Sequence, residues 1–313
     1  MTVASFSALA IVTAAVLYLM ALVFHTLEWA LARNVEATVT ESVAADGKGG
    51  VALLDKPSVE PVPPRKADVF ARMGFNLTIL AAVVDLVGIV ARGIAAHRAP
   101  WGNMYEFVTT AAVVVAALYF FGVWKWGLRW LGLPVTLLGA ILNGLAATVF
   151  YVAVAPLVPA LHSVWFMIHI LAAIVSGAAF SIGGVAAILY LIQARAERKG
   201  TVKGYLARLP TADGIDRMGY RLLAFAFPLW TFTIAAGAIW AEYAWGRYWG
   251  WDPKETWSLV TWVIFAGYLH ARATAGWKGR RAALLAILGF AMFWWNFIGV
   301  NLVFAGLHSY AGI

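Results

Sequence analysis

The chain has no cysteine in its 313 residues. That excludes disulfides, thiolate metal centres and a cysteine nucleophile within it. Charge is scarce as well: 12% of residues are Asp, Glu, Lys or Arg, where a soluble domain carries about a quarter. Acidic groups are the scarcer, 15 against 23 basic, which leaves a net charge of +8. There is no internal repeat and no stretch with the composition of a soluble domain. Hydrophobic residues make up 63% of the chain, as expected of a polytopic helical membrane protein. Met1, Thr2 and Val3 lead straight into an apolar run with no basic segment, unlike a cleaved signal peptide.

A membrane-crossing helix needs about 20 mostly apolar residues. Eight stretches qualify, roughly 5–30, 70–93, 104–123, 130–155, 165–193, 220–243, 258–275 and 280–304. The expected fold is all-α, one integral membrane helical bundle over residues 1–313. Residues 34–68 carry Pro57, Pro61, Pro63 and Pro64 with Gly47, Gly49 and Gly50, and read as a flexible cytoplasmic loop. Of the 23 Lys and Arg, all but Arg92, Arg98, Arg247 and Lys254 fall on the connectors after spans one, three, five and seven or on the adjoining helix ends. The positive-inside rule places those connectors in the cytoplasm and both termini outside the cell. The net charge is thus a topology signal. It implies a lipid bilayer as partner and argues against nucleic acid.

Residues 245–262, between spans six and seven, read W-G-R-Y-W-G-W-D-P-K-E-T-W-S-L-V-T-W. Five of the 16 tryptophans are here: Trp245, Trp249, Trp251, Trp257 and Trp262. Tryptophan concentrates where bilayer meets water, so the stretch suits an interfacial anchor. Interleaved with Arg247, Asp252, Lys254 and Glu255, it equally suits a shelf for a large flat apolar ligand with a polar edge. Arg247 and Lys254 suit carboxylates on such a ligand, or pair with Asp252 and Glu255 on the loop itself. Asp252-Pro253 has the form of a helix start, with Asp252 as N-cap and proline in the first helical position.

Polar side chains inside membrane spans are costly and usually face the bundle interior. His97, His162, His169 and His308 fall at or near the outer side, His270 near the inner end of span seven, and His25 towards the inner half of span one. Imidazole is a good axial ligand for haem iron, and each histidine is also a plausible interhelical hydrogen-bonder. His169 and His308 share a leaflet with the tryptophans; His270 lies about 12 Å deeper than Trp262 along one helix. Asp85 is an isolated intramembrane carboxylate, which suits a proton path or a contact inside the bundle. Glu106 and Glu242 stand at helix ends, where they orient the Trp loop or are simply solvated. Asn143, Asn296 and Asn301 read as interhelical hydrogen-bonders.

The run W-A-E-Y-A-W-G-R-Y-W-G-W-D-P-K-E-T-W-S-L-V-T-W at 240–262, followed by Y-L-H-A-R, resembles the WWD signature of haem-handling membrane proteins. It is most similar to the CcsA/ResC family of the system II cytochrome c biogenesis pathway. N-M-Y-E-F at 103–107, L-H-S-V-W-F-M-I-H at 161–169 and G-L-H-S-Y at 306–310 resemble three further segments of that family. The likeness covers about residues 97–313 and is most specific over 240–272. CcmC-like and CcmF-like proteins share a shorter Trp-Asp signature, and D-P-K-E-x-W favours the CcsA/ResC branch.

By that resemblance, 240–262 is an extracytoplasmic segment that holds haem b, a transient substrate, with the vinyl groups facing an incoming apocytochrome c. His169 and His308 would be the axial ligands of its iron. His270 would match the family's intramembrane histidine, which meets haem in transit. Trp245, Trp249, Trp251, Trp257 and Asp252 would frame the porphyrin, and Arg247 and Lys254 its propionates. The resemblance also implies a CcsB/ResB-type membrane partner, whose large extracytoplasmic domain is not in these 313 residues. A thioredoxin-like thiol reductant is a further implied partner. The implied activity is cytochrome c haem lyase, exercised only with that partner, in the plasma membrane or, in a plastid, the thylakoid membrane. Haem export without ligation is the alternative, and a b-haem respiratory subunit a remoter one.

Overall fold

The computed structural model describes residues 1–31 and 66–308. Its long helices are α1 (Val3–Leu31), α2 (Lys66–Ala96), α3 (Met104–Trp126), α4 (Gly132–Thr148), α5 (Val164–Arg198), α6 (Ala212–Trp245), α7 (Pro253–Ala273) and α8 (Arg280–Trp294). From α8 the chain passes through a π-helical turn, Trp295–Gly299, into the short α9 (Val300–Val303). Most of the expected 34–68 loop lies outside the described residues, and its last three residues open α2.

The protein is a multi-pass helical membrane protein. Seven helical stretches are long and apolar enough to cross a bilayer: 3–31, 66–96, 104–126, 128–148, 164–198, 212–245 and 280–303. The remaining expected span is α7. Its 21 residues reach about 31 Å, but Trp257, Thr261, Trp262, Tyr268 and His270 make it less apolar than its neighbours. The fourth span is shorter than expected, because helix stops at Thr148 and residues 151–158 run on without regular structure.

Helix ends follow local chemistry. Asn103 caps α3 by accepting from the Glu106 N–H, Ser163 caps α5 by accepting from Trp165, and Thr211 caps α6 by accepting from Gly214. Gly246 ends α6 at φ 70°, a left-handed conformation that costs glycine nothing.

The packing has the inverted logic of a membrane protein. Large apolar side chains such as Val12, Leu19, Leu80, Val83 and Val90 are exposed. Small ones, including Ala14, Ala21 and Ala81, are buried where helices meet. Helix α1 packs along α2 and α4, α5 along α6 and α8, and α3 joins the two groups through α4 and α5. Phe180 of α5 stacks on Phe265 of α7 at 4.0 Å.

Buried polar residues tie elements together. Asn143 of α4 donates to Asp85 of α2 at 2.9 Å, so this pair bears out the interhelical reading of Asn143. At the end opposite residues 245–262, Arg208 bonds Glu28 at 3.1 Å and Asp68 at 2.9 Å, linking α1 and α2 to the connector before α6. His25 is buried at that same end, with Nδ1 3.2 Å from Glu28.

Candidate ligand-binding cleft

At the end that carries residues 245–262, the starts of α3, α5 and α7, the last turns of α6, the π turn and His308 surround one large cleft. Counted with the open space at its mouth, it spans about 1130 Å³. Phe107, Phe166, Trp230, Trp240, Phe293 and Phe297 supply apolar walls. The polar groups facing in are few: His169, His308, Lys254, Glu255, Asn296 and Asn301 among them.

His169 sits in the second turn of α5. Its Nδ1 lies 2.8 Å from the Thr233 carbonyl of α6. A carbonyl only accepts, so Nδ1 carries the proton and Nε2 keeps its lone pair. The approach is possible because Gly237 has no side chain: a Cβ there would sit 2.7 Å from His169 Nδ1.

His308 is held in the same manner by a different partner. Its Nδ1 donates to the Asp252 carboxylate at 2.9 Å. Among the described residues Nε2 of neither histidine has a hydrogen-bond partner. Both rings flank Trp240, whose ring centroid is 5.8 Å from that of His169 and 5.7 Å from that of His308. Trp240 is itself pinned by its Nε1–H, which donates to Ala160 O at 2.8 Å.

Asp252 is the N-cap of α7, as its sequence context predicts. Beyond His308, its carboxylate accepts from the backbone N–H of Lys254 at 3.0 Å and of Leu307 at 2.8 Å. Burial alone would raise its pKa, but the hydrogen bond and attraction from His308, with the Leu307 and Lys254 N–H groups, together outweigh that, and the carboxyl is held at about 2. Glu255 completes a capping box by accepting from Asp252 N at 3.1 Å, and it also accepts from Gly250 N at 2.8 Å. Arg247 lies 3.5 Å from Glu255, over Gly250, where any side chain would collide with the guanidinium.

The tryptophans of the segment do not form one continuous shelf. Trp249 lines the cleft. Trp245 packs edge-on against His308 at 4.9 Å, behind the imidazole. Trp251 is 67% exposed at φ 60°, and Trp257 packs on Trp295 at 5.7 Å. Lys254 reaches inward, with Nζ 3.2 Å from Phe297 O. His270 is exposed at the far end of α7, sixteen residues or about 24 Å from Lys254. His162 lies in the loop before α5, its Nε2 3.3 Å from Leu157 O.

Three contributors escape a reading by residue type. Trp240 stands between the histidines, Gly237 admits one of them, and Asn296 is brought into the cleft by the π turn. Asn296 is not the interhelical hydrogen-bonder expected: its buried Oδ1 has no partner among the described residues. Glu106 is also not a solvated helix end. It is fully buried and accepts from Arg92 at 2.9 Å, Arg98 at 2.7 Å and Gly102 N at 2.8 Å, beneath the cleft wall at Gly102 and Asn103.

Two imidazole nitrogens without a protein partner among the described residues can hold a metal, but they are only half of a tetrahedral protein site. Among the described residues no group of three or more His, Asp or Glu converges. The donor set fits a metal that brings its own in-plane ligands, and the apolar walls fit a macrocycle around it.

Comparison with known proteins bears on the same residues. The family model described as "Cytochrome C assembly protein" matches residues 101–308. "Cytochrome c biogenesis protein CcsA" of Guillardia theta is 38% identical over 258 residues, 76% of this chain and 85% of that protein. The protein of the same description from Synechococcus sp. (strain JA-3-3Ab) is 36% identical over 292 residues, 76% of this chain and 83% of that one. Among solved structures, "Cytochrome c Heme Lyase CcmF" superposes on 100% of this chain with a TM-score of 0.66 at 16% identity, a likeness of fold. This chain spans about half of it, 49%.

Proposed function

This chain belongs to the cytochrome c assembly protein family and, within it, to the CcsA proteins, and from that premise we propose that its cleft receives haem b as substrate and presents it for attachment to apocytochrome c. The single observation that carries the reading is the histidine pair. Both imidazoles are held through Nδ1, which leaves Nε2 to a ligand, and both residues line one apolar cleft. Such outer-shell bonds fix the tautomer and raise the basicity of a ligating nitrogen.

His169 and His308 take the axial positions on the iron. Trp240 and Trp249 contact the macrocycle, Trp245 and Asp252 hold His308 in place, and Trp251 and Trp257 shape the rim. Two thiols of a C-x-x-C-H segment then add across the two vinyl groups. Each forms one S–C bond while its hydrogen goes to the other vinyl carbon, so no oxidant is consumed. The histidine of that segment displaces one of the two imidazoles. The chain's contribution is position and electrostatics; the reactive groups belong to substrate and apoprotein.

The cleft faces the extracytoplasmic side, by the distribution of basic residues. The membrane is the plasma membrane, or the thylakoid membrane in a plastid. His270, exposed at the other end of α7, meets haem on its way across, against a membrane partner of the CcsB/ResB type. Lyase activity requires that partner, with a thioredoxin-like protein keeping the apocytochrome thiols reduced.

The test is spectroscopic. The chain is purified with its partner, and oxidised and reduced absorption spectra are recorded for wild type, His169→Ala and His308→Ala. A bis-histidine spectrum that changes in both variants, partly restored by imidazole, is expected. Unchanged haem content and spectra in both variants would sink the assignment. Adding apocytochrome c then separates ligation from export: covalent product supports ligation, and loaded protein that never yields product leaves export alone.

A further inference from the structure

Three polar side chains of α1, α2 and α4 take no part in the cleft. Asp85 stands within α2, eleven residues or about 16 Å from the helix end at Ala96. It is fully buried, as are Asn143 of α4 and Tyr18 of α1. Asn143 Nδ2 donates to Asp85 Oδ2 at 2.9 Å and to Gly139 O at 3.1 Å. The other oxygen of each group, Asp85 Oδ1 and Asn143 Oδ1, has no hydrogen-bond partner among the described residues. The Tyr18 hydroxyl has none either.

The hydroxyl is directed at the same pair. Tyr18 packs with Ala81, one turn before Asp85, and with Ala140. Its ring lies against Gly139, one turn before Asn143, where a Cβ would stand 2.8 Å from it. Helix α1 runs antiparallel to α2 and α4: Ser7 bonds Gly88 O, while His25 fits against Gly74 and Gly132. A helical side chain leans towards the N-terminus of its own helix. Tyr18 therefore leans from the level of Ala81 and Gly139 towards that of Asp85 and Asn143, and Asp85 acts on it electrostatically.

No cation offsets Asp85 among the described residues. Arg92 lies two turns further along the same face of α2 and is taken by Glu106. The titratable groups that face Asp85 from α1 and α3 are the phenols Tyr18 and Tyr105, and α4 offers the amide of Asn143. A lone carboxylate inside a membrane bundle is costly and is neutralised or paired. The count of donors agrees. With Asp85 ionised, Tyr18 can serve one of the two orphaned acceptors and leaves the other without a donor. One added proton closes the count. Asp85 Oδ1–H then donates to Asn143 Oδ1, the Tyr18 hydroxyl donates to Asp85 Oδ1, and no formal charge remains.

We propose that Asp85, Asn143 and Tyr18 form a proton-binding site within the membrane, in which Asp85 is a neutral carboxylic acid and the other two are positioning residues. The site joins α1 and α2, which precede the region matched by the family model, to α4 within it. Loss of the proton leaves a charge where the three helices meet, so the packing of α1 and α2 on α4 is coupled to protonation. The site is separate from the cleft and does not depend on the haem reading.

The experiment is infrared spectroscopy of the detergent-solubilised full chain at about pH 7, where an aspartate in water is ionised. Wild type should show the C=O stretch of a neutral carboxylic acid, and Asp85→Asn should lose it. Tyr18→Phe and Asn143→Leu each remove one hydrogen bond from that group, so both should keep the band at a shifted frequency. These two variants also assign the band if Asp85→Asn does not fold. The melting temperature of wild type should be the same in sodium chloride as in choline chloride. Absence of the band in folded wild type overturns the proposal, as does a band that survives Asp85→Asn or that neither Tyr18→Phe nor Asn143→Leu moves. A melting temperature raised by sodium but not by choline, with the rise lost in Asp85→Asn, overturns it too and puts a metal cation in place of the proton.

Discussion

The Asp252 carboxylate accepts the Nδ1 proton of His308 at 2.9 Å, although the two are 56 positions apart in the chain. The same carboxylate caps α7 and holds the backbone of Leu307. One residue thus starts a helix and aims an imidazole. The two roles separate by substitution. Asp252→Asn keeps a good N-cap but offers His308 a weaker acceptor, so haem affinity should fall about 10- to 100-fold with little change in thermal stability. Asp252→Ala should lose about 1 kcal/mol of cap energy as well. Haem titration with a melting curve in detergent measures both; an Asp252→Asn protein with wild-type affinity would rule out the orienting role.

Gly237 offers a second separation. His169→Ala leaves a hole that exogenous imidazole can enter, so haem binding should be partly rescued. Gly237→Val fills the notch through which His169 reaches Thr233 O. Haem binding should fall there too, but imidazole should not restore it, since the space is occupied. Rescue of Gly237→Val to the level of His169→Ala would show that the notch is not needed.

Glu106 is buried between two arginines, Arg92 and Arg98, with side-chain exposures of 4% and 14%. Removing one partner of a buried ionic network strands the others and costs about 3–5 kcal/mol. Glu106→Ala should therefore lower the melting temperature sharply and loosen Gly102 and Asn103 at the cleft. A melting temperature within a degree or two of wild type would contradict this account.

The lack of cysteine makes the topology directly measurable. Tyr248→Cys places a thiol at a position 60% exposed beside the cleft, and Lys199→Cys places one at the exposed opposite end, just after α5. In intact cells an impermeant maleimide should label the first at once and the second only after permeabilisation. The reverse pattern would invert the orientation inferred from the basic residues.

Much of this was legible from local pattern. Apolar run length announces membrane helices, because backbone groups in a bilayer must be bonded within the segment. All eight expected spans correspond to long helices, with α7 less apolar than the rest. The caps at Asn103, Ser163 and Asp252 depend on neighbours two or three residues away, so they too lie within reach of a sequence reading. The fate of each tryptophan was not legible. Trp249 and Trp251 are two residues apart, yet one lines the cleft and the other is 67% exposed, because Trp251 adopts φ 60° in the turn before α7.

By itself, then, the sequence determined the kind of molecule: a cysteine-free helical membrane protein, asymmetric in charge, with a tryptophan-rich segment inside the region its family model matches. Those are properties of composition and of short-range spacing. Only the tertiary structure decided which nitrogen of each histidine is held, that Arg247 pairs with Glu255 while Lys254 reaches Phe297 O, and that Glu106 is a buried anchor. His169 and Thr233 are 64 positions apart, and Asp252 and His308 are 56. Such hydrogen bonds depend on how helices cross and how closely they approach. Periodicity along a single helix carries no record of that.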